Sequence, residues 1–327
     1  MTTLAQQIFR RLGDGEFASG QALAAEFGVT RSAIWKAVHV LADAGVPVEA
    51  VSNRGYRVSG VAPLDGAGIL ARLPADARER ITRCEVAWSL PSTNAALLAA
   101  REPPAGEAHV LLAEQQTAGR GRRGRQWVAP LGGAVCLSIA WTFPELPRDL
   151  AALSLVVGVC ALRAFPACGV TGLALKWPND LVAGGRKLGG ILIEMRAESA
   201  GPVAVVIGIG VNVALGAQAR AQVAAAGNAA IDVAELGGAV DRNGLAAGLI
   251  GEIVTALPGF AAQGLAPFAA EWRNADALRG LPVSVTRDAA VEIGIARGID
   301  AAGALLVETP AGLRRFVAGE VSVRAQR

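Results

Sequence analysis

The densest cluster of candidate ligand-binding side chains lies in residues 119–125, which read Gly-Arg-Gly-Arg-Arg-Gly-Arg. Glycine lets backbone N–H groups approach an anion closely, and guanidinium groups neutralise phosphate or carboxylate oxygens through paired hydrogen bonds. The segment therefore predicts a site for a polyphosphate or a nucleic acid. A disordered Arg/Gly segment and an RNA-binding segment have the same composition. Predicted buried strands on both sides favour a loop that is fixed at both ends.

A second polar motif, Lys-Trp-Pro-Asn-Asp at residues 176–180, contains one of only three lysines in the chain. Pro178 ends a strand, and the Asn-Asp pair after it favours a turn, so Lys176 is predicted at a strand end, facing a ligand. Lys187 follows soon after, and Asp180 can either support a magnesium ion or cap the turn. The alternative is that Lys176 is a surface charge beside a buried tryptophan.

Two shorter segments add weaker signals. Residues 208–210, Gly-Ile-Gly, lie inside a predicted strand, where glycines often mark the close approach of a ligand, and Asn212 follows them. They are not a dinucleotide fingerprint, because neither a third glycine nor a helix follows at the required spacing. Residues 92–94, Ser-Thr-Asn, predict the start of a helix, where hydroxyls and backbone N–H groups can face the polar head of a ligand.

Residues 1–60 predict three short helices followed by a hairpin. Ser19 and Thr30 can cap the second and third helices, and residues 46–51 and 56–58 alternate as strands around a turn. This order is typical of a winged helix, a DNA-binding fold whose third helix and wing would present Arg31, Ser32, Trp35, Lys36, Arg54 and Arg57. The segment has six basic and five acidic residues, so a small packing domain with a solvated basic face is the alternative.

The rest of the chain predicts an α+β fold. After a linker at residues 63–68, the predicted strands are 110–114, 134–141, 173–176, 190–195 and 203–213. The predicted helices are 150–163, buried all round, and 245–257, amphipathic. Short gaps between strands predict hairpins instead of a parallel doubly wound sheet. Strands at 282–286, 291–297, 304–308 and 314–323 predict a small β-barrel. The predicted domains are residues 1–62, 63–276 and 277–327.

Composition excludes several classes of protein. The chain has 327 residues, 52% of them apolar, a net charge of +3 and a mean hydropathy of +0.40, which excludes a disordered chain. Its best apolar run, residues 150–162, is shorter than the roughly 20 residues of a membrane-spanning helix. The N-terminal residues lack the apolar core of a signal peptide, so a cytoplasmic protein is expected. Four dispersed cysteines and two histidines lack metal-ligand spacing, so neither structural zinc nor a disulfide framework is expected.

The order of these motifs resembles that of the biotin protein ligases. The matching parts are the Ser-Thr-Asn start at Ser92, the Arg/Gly loop at Gly119, Lys-Trp-Pro-Asn-Asp at Lys176 and Gly-Glu-Val-Ser-Val-Arg at Gly319. The predicted winged helix is similar to that of the bifunctional members, which also repress a biotin operon. The resemblance implies a central ligase domain with a mixed or antiparallel sheet, followed by a C-terminal SH3-like β-barrel.

The resemblance also implies an activity. Members of the family join biotin and MgATP into biotinyl-5′-AMP, release pyrophosphate, and pass the biotinyl group to one lysine of a biotin carboxyl carrier protein. The expected substrates are thus biotin and ATP, the metal is Mg²⁺, and the protein partner is a subunit of acetyl-CoA carboxylase or of another biotin-dependent carboxylase. Operator DNA and a second copy of the chain are also expected partners, the homodimer forming in the adenylate-bound state.

Finally, the resemblance assigns residues to each ligand. It implies a biotin site formed by Ser92, Thr93, Asn94, Gln116, Gly119, Arg120, Arg122, Lys176, Gly190, Gly208 and Gly210. It implies an ATP site formed by Arg122, Arg125, Trp127, Lys176, Asn179, Asp180, Lys187, Asn212 and Arg324. The expected catalytic residues are Lys176, Arg122 and Arg120, with Lys176 as the electrostatic stabiliser at the reacting phosphate. Mg²⁺ is expected to arrive with the ATP phosphates, and Asp180 is the candidate protein ligand.

Three alternatives stay open from the sequence. The alternatives to a bifunctional ligase are a monofunctional ligase with a vestigial DNA-binding domain, a biotin-sensing DNA-binding regulator with weak catalysis, and a lipoate ligase. The intact Arg/Gly loop and Lys176 argue against the regulator, and the lack of the characteristic lipoate-ligase motifs argues against the third. Residues 216–238, where nucleotide contacts are expected, are rich in alanine, so adenine contacts cannot be assigned there.

Overall fold

The computed structural model describes residues 2–196, 201–227, 229–287, 290–317 and 321–325. Its N-terminal unit has the element order of the predicted winged helix: α1 Leu4–Leu12, α2 Gly20–Phe27, α3 Arg31–Asp43, β1 Val48–Val51 and β2 Gly55–Val58. Ser19 Oγ accepts a hydrogen bond from Ala22 N at 3.0 Å, and Thr30 Oγ1 accepts one from Ala33 N at 3.2 Å. Both predicted helix caps are therefore confirmed.

The central unit is built on one mixed sheet. Its strands are β3 Ile81–Leu90, β4 Ala108–Arg120, β5 Gln126–Ala129, β6 Ala134–Phe143, β7 Ala174–Lys176, β8 Asp180–Ala183, β9 Arg186–Arg196 and β10 Val203–Asn212. They lie in the order β3-β4-β6-β10-β9-β8-β7, with β5 paired to β4 outside this path. Among the described strands, β3 and β4 run parallel, and the other neighbours are antiparallel. The predicted α+β class is confirmed.

Different helices cover the two faces of this sheet. The helices of the central unit are α4 Gly66–Ala71, α5 Ala75–Glu79, α6 Thr93–Ala99, α7 Leu153–Ala164, α8 Ala217–Ala225, α9 Arg242–Gln263 and α10 Ala269–Ala275. On one face α7 and α9 enclose the main apolar core, which includes Leu137 and Ile209 of the sheet. On the opposite face α6 packs against β4, β6 and β10. This second face carries the polar residues and glycines that form the candidate site.

Two helical stretches of the central unit are long and apolar enough to cross a membrane by length and composition alone. The first is residues 150–168, in which a 3-10 turn at Phe165–Cys168 continues the helical stretch beyond the predicted run, and the second is α9. In each, 61% of the most apolar window is buried inside the protein. The sequence predicts an amphipathic second helix, and 11 of the 22 residues of α9 are buried. Both stretches form part of the main core.

The C-terminal unit is an antiparallel sheet. Its strands are β11 Pro282–Arg287, β12 Ala290–Ile299, β13 Leu305–Thr309, β14 Gly312–Phe316 and β15 Val321–Ala325, in the order β14-β13-β12-β11-β15. The single strand predicted at 314–323 is thus two strands at opposite edges of the sheet. In the described residues these two edges do not pair, so a closed barrel is not confirmed. Trp177 Nε1 donates to Gly303 O at 3.0 Å, which ties this sheet to the central unit.

A buried ion pair fixes the segment that joins the N-terminal and central units. Glu114 Oε2 of β4 lies 2.7 Å from Arg242 Nη2 at the start of α9, and these side chains are 5% and 0% exposed. Glu114 Oε1 accepts a hydrogen bond from Leu64 N, and Arg242 Nη2 donates one to Ala62 O, both at 2.6 Å. The pair therefore holds the linker against the strand that leads into the Arg/Gly loop.

Candidate active site

The candidate site lies on the sheet face that α6 covers. In the antiparallel pair of β9 and β10, Gly208 is opposite Leu192 and Gly210 is opposite Gly190. Because side chains alternate along a strand, these positions and Glu194 share one face, while Ile207 and Ile209 of β10 point into the core. The glycines leave room above the sheet for side chains that come from other elements.

A hydrogen-bond network joins the start of α6 to this face. Thr93 N and Thr93 Oγ1 donate to Gln116 Oε1 at 2.7 and 3.1 Å. Ser138 Oγ of β6 lies 2.6 Å from both Thr93 Oγ1 and Asn94 Oδ1, and Asn94 Nδ2 donates to Glu194 Oε2 at 3.0 Å. Thr93, Asn94 and Ser138 are buried, so their orientations are fixed by one another. Such a fixed set of donors and acceptors can recognise the polar head of a small ligand.

Gly208 and Gly210 make room for side chains of the protein itself. A Cβ at Gly208 would lie 2.2 Å from Asn94 Oδ1, and a Cβ at Gly210 would lie 2.6 Å from Cε2 of Trp127. The sequence interpretation places both glycines at the floor of a biotin site. In the structure Asn94 lies against Gly208 and Trp127 lies against Gly210, so a larger residue at either position would displace the side chain above it.

The Arg/Gly loop connects β4 to β5 and is fixed at both ends, as predicted. Gly119 is buried and pairs with Trp127 across the two strands, and Gly121 N donates to Arg125 O at 2.7 Å. Arg123 has a φ of 58°, in the left-handed region that usually requires glycine. Arg120, at the end of β4, is exposed, as are Arg123 and Arg125. The loop thus places cationic side chains at the edge of the polar network.

Further cations gather at the turn between β7 and β8. Arg122 Nη1 donates to Asn179 Oδ1 at 3.4 Å, and Lys187 Nζ lies 2.5 Å from Asp180 Oδ1. Burial lowers the pKa of the Arg122 guanidinium, and the Asp180 carboxylate opposes that shift. The backbones of Lys176 and Asp180 are opposite each other in the β7–β8 hairpin, and both residues line a small cleft with Asn179. The two cationic motifs of the sequence therefore meet here, in an arrangement suited to binding anions.

Trp127 and Asn212 lie next to Lys187 but contribute differently. Lys187 Nζ is 5.8 Å from the centroid of the Trp127 ring, within the range of a cation–π contact. Asn212 is 4% exposed, and its Nδ2 donates to the backbone oxygens of Lys187 and Ile231 at 3.3 and 3.1 Å. The sequence interpretation assigns Asn212 to ATP, whereas in the structure its amide nitrogen supports the backbone beneath Lys187.

Two further predicted ligand contacts are Ser92 and Arg324. Ser92 Oγ accepts a hydrogen bond from Ala95 N at 3.4 Å, so Ser92 is the N-cap of α6. Arg324 lies in β15 of the C-terminal sheet, and its side chain is outside the described residues. Gly319, which begins the last motif of the resemblance, is also outside the described residues. The assignment of Arg324 to ATP therefore stays a prediction.

The sequence interpretation missed Ser138 and Glu194, although each carries a signal. Ser138 is a polar residue inside the apolar run of β6, and its side chain is fully buried. Buried hydroxyls need a partner, so its position predicts a polar neighbour. Glu194 lies in a strand that the sequence does predict, at an even spacing from Gly190. The two-residue period of strands therefore places it on the same face as that glycine.

The predicted DNA-facing residues fall on two parts of the N-terminal unit. The first half of α3 exposes Arg31, Ser32, Trp35 and Lys36. In the hairpin, the guanidinium groups of Arg54 and Arg57 lie 4.1 and 4.6 Å from the centroid of the Phe17 ring. Arg57 is half-buried and its Nη2 is 2.5 Å from Glu49 Oε2. Arg54, which is exposed, is therefore the wing cation better placed to contact a phosphate.

Three family models match the chain. Residues 86–212 match the Biotin/lipoate A/B protein ligase family, residues 5–57 match an HTH domain, and residues 280–324 match the Biotin protein ligase C terminal domain. The first range contains the polar network and the cations around Asp180. The second contains the exposed half of α3.

Solved structures support the fold. The structure of biotin protein ligase from Aquifex aeolicus in complex with biotin and ATP matches with a TM-score of 0.61 and 23% identity, covering 75% of this chain and 100% of that chain. The apo structure of the same ligase matches with a TM-score of 0.58 and 21% identity, covering 75% of this chain and 99% of that chain. At these identities the likeness concerns the fold alone.

Curated relatives match over longer ranges. The bifunctional ligase/repressor BirA of Escherichia coli is 36% identical over 325 residues, covering 99% of this chain and 98% of the relative. BirA of Bacillus subtilis is 28% identical, covering 97% of each chain. A biotin–acetyl-CoA-carboxylase ligase of Paracoccus denitrificans is 37% identical over 241 residues, covering 70% of this chain and 96% of the relative. By its match over 99% of its length, and by its HTH region followed by a ligase region, the chain belongs to the family of BirA bifunctional ligase/repressors.

Proposed function

We propose that this protein is a biotin protein ligase, which activates biotin with MgATP to biotinyl-5′-AMP and then transfers the biotinyl group to a lysine. One observation carries the proposal: the hydrogen-bond network at the start of α6 and a cluster of cations adjoin on one sheet face. Gly208, under Asn94, and Gly210, under Trp127, are about 7 Å apart along β10. The network recognises the head of biotin, and the cations bind its carboxylate and the phosphates.

The first reaction brings two anions together. A carboxylate oxygen of biotin attacks the α-phosphorus of ATP and forms an O–P bond. The bond from that phosphorus to the oxygen that bridges to the β-phosphate breaks, and pyrophosphate leaves with this oxygen and the electron pair. Arg122 and Lys176 neutralise the carboxylate and the α-phosphate, and Arg120 completes the biotin side of the site. Lys176 acts mainly in the transition state, where charge on the phosphoryl oxygens is redistributed.

The second reaction needs no protein nucleophile. The amine of the acceptor lysine attacks the biotinyl carbonyl carbon, an amide forms, and AMP leaves with the electron pair of the broken C–O bond. Between the two reactions the mixed anhydride must be kept from water. The Arg/Gly loop is anchored by β4 and β5 at the edge of the network, so its closure over the ligand would exclude water.

Mg²⁺ fits this site as a companion of the ATP phosphates. Magnesium is usually held by one or two carboxylates together with substrate phosphates. Asp180 is the only carboxylate among the residues proposed to bind ATP, and Lys187 pairs with one of its oxygens. The described part of the chain contains no group of three or more His, Cys, Asp or Glu side chains that could hold a metal by themselves. Asp180 would hold the ion, which supplies further neutralisation of phosphate charge.

The ligase proposal is tested by supplying biotin, lipoate or octanoate, each with MgATP, and measuring pyrophosphate release that depends on the acid. We expect pyrophosphate release with biotin and none with lipoate or octanoate. Release with lipoate alone would replace the proposal with a lipoate ligase, the second activity in the name of the matched family. Tight biotin binding without pyrophosphate release would instead indicate a biotin-sensing regulator.

Gly208→Ala is expected to lower the affinity for biotin about tenfold, because the new methyl group displaces Asn94 from the network. Isothermal titration of the purified variant with biotin measures this loss. Gly259→Ala is the matched control, since a Cβ at this position in α9 would meet no atom within 4 Å. Wild-type affinity in Gly208→Ala would show that the position of Asn94 does not matter for biotin.

The acceptor is proposed to be a biotin carboxyl carrier protein, a subunit of acetyl-CoA carboxylase or of another biotin-dependent carboxylase. The name of the Paracoccus denitrificans relative supports the first of these. We place the enzyme in the cytoplasm, where such a carrier and ATP are available. Residues 1–62 are assigned to DNA binding, 63–276 to catalysis and 277–327 to an SH3-like barrel. The ranges of the three family models, 5–57, 86–212 and 280–324, support the division into three parts.

A second activity, repression of transcription with biotinyl-5′-AMP as corepressor, is favoured by the exposed basic start of α3. The name of the Escherichia coli relative also supports it. Ordering of the Arg/Gly loop by the adenylate would favour a homodimer that binds operator DNA. Sedimentation equilibrium with and without biotin and MgATP tests this step. We expect dimers only with both substrates present, and an unchanged mass would contradict adenylate-driven dimerisation.

Lys36→Ala is expected to weaken binding to duplex DNA and to reduce the slope of log affinity against log salt by about 1, because one phosphate contact is lost. The measurement is fluorescence anisotropy with a random-sequence duplex at several salt concentrations, in the presence of biotin and MgATP. Arg297→Ala removes another exposed cation, in the C-terminal sheet, and should leave the slope unchanged. An unchanged slope in Lys36→Ala would remove α3 from the DNA interface.

A further inference from the structure

Glu194 is a carboxylate within the site that the ligase reaction proposed above does not use. Its Oε1 lies 3.0 Å from Nη2 of Arg120, and its Oε2 accepts a hydrogen bond from Asn94 Nδ2 at 3.0 Å. The side chain of Glu194 is 21% exposed, whereas that of Arg120 is 51% exposed. A single carboxylate therefore joins the first arginine of the Arg/Gly loop to the start of α6.

The position of Glu194 is set independently of Arg120. Its backbone lies in β9 and is paired with Val206 of β10. Its partner Asn94 is held by Leu192 O at 3.2 Å and lies 2.6 Å from Ser138 Oγ. A half-exposed arginine without such an anchor would sample many rotamers, and ordering it on binding would weaken affinity. The anchored carboxylate removes most of that freedom before a ligand arrives.

We propose that Glu194 is a positioning residue for biotin, which holds Arg120 beside the Thr93–Asn94 segment in the ligand-free enzyme. The inference rests on the proposed ligase function, and it assigns to Glu194 an effect on biotin binding but none on the chemical step. In this role the charge of Glu194 acts through Arg120. Its loss should therefore raise the KM for biotin with little change in kcat, the pattern expected when an interaction contributes equally to the ground state and the transition state.

Glu194→Gln separates this role from a purely structural one. The glutamine oxygen can still accept the hydrogen bond from Asn94, while its amide group has no charge to attract the Arg120 guanidinium. We expect the KM for biotin to rise about fivefold at unchanged kcat, within the range for loss of one partly exposed ion pair. In an Arg120→Gly background the same substitution should have no further effect. An equal rise in both backgrounds, or no rise in either, would overturn the proposal.

A measurement on the ligand-free protein does not depend on the ligase reaction. Trypsin cleaves after an arginine only when that side chain can enter the protease, so Glu194→Gln should speed cleavage of the Arg120–Gly121 bond several-fold. Glu308→Gln, which removes the exposed Arg297–Glu308 pair of the C-terminal sheet, is the matched control and should leave cleavage and KM unchanged. An unaltered cleavage rate in Glu194→Gln contradicts the proposal. Failure of the ligase function would be recognised separately, as wild-type protein that forms no adenylate.

Discussion

Lys176→Met is expected to lower the rate of biotinyl-5′-AMP formation by about 10²–10³-fold, because the substitution removes a fixed positive charge from the reacting phosphate. Lys176 is half-buried at the end of β7, where its backbone is opposite that of Asp180 in the hairpin. It lines the same cleft as Asn179. Methionine keeps most of the apolar stem, so packing beside the buried Trp177 should survive. Single-turnover pyrophosphate release with saturating biotin and MgATP measures the chemical step.

Controls separate the charge of Lys176 from its packing. Biotin affinity by titration should change only a few-fold in Lys176→Met, and the thermal unfolding temperature should match that of the wild type. Lys176→Arg restores a positive charge but not the compact ammonium group, so its rate should lie between those of the wild type and Lys176→Met. Wild-type turnover in Lys176→Met would remove Lys176 from the catalytic residues.

Local patterns predict the elements of this fold better than their pairing. Helix caps at Ser19 and Thr30 follow from single side chains, and both form. Strand β3 is not predicted, because its residues Ile81–Leu90 are mostly half-buried and include charged positions, which weakens the apolar signal. Strand β3 pairs with β4 in parallel, so the chain must cross over through α6 between them. Short gaps between strands predict antiparallel hairpins, and they give no signal for such a crossover. A closed barrel in the C-terminal unit would likewise require its two edge strands, β14 and β15, to pair with each other.

For the candidate site, motifs predict which residues gather but not what each one touches. The Arg/Gly loop and the Lys-Trp-Pro-Asn-Asp motif meet through the Arg122–Asn179 contact, in accord with their common assignment to an anion site. The motifs do not predict that Asn94 lies against Gly208 or that Asn212 Nδ2 donates to the backbone oxygens of Lys187 and Ile231. Both contacts join segments far apart in the sequence, so they depend on long-range packing that a single motif does not contain.

Glu114→Gln is expected to lower the free energy of unfolding by about 3 kcal/mol, since it leaves the buried guanidinium of Arg242 without a counter-charge. Both side chains are almost fully buried, and among the described residues Nε and Nη1 of Arg242 have no hydrogen-bond partner. The substitution also weakens the hold on the linker through Leu64 N, so the N-terminal unit should dock less firmly. Urea unfolding followed by tryptophan fluorescence measures both effects, because Trp88 of β3 contacts Phe9 of α1 with ring centroids 5.4 Å apart.

The matched comparison is Glu308→Gln, which also removes a glutamate from an ion pair, but one whose side chains are about half exposed. An exposed pair contributes at most about 1 kcal/mol, because water already solvates both charges. The difference between the two variants therefore isolates the effect of burial on the Glu114–Arg242 pair. Arg242→Met in the Glu114→Gln background should recover part of the loss, since no unpaired buried charge remains. Equal unfolding midpoints for Glu114→Gln and Glu308→Gln would mean that water reaches the buried pair and that the linker is held by other contacts.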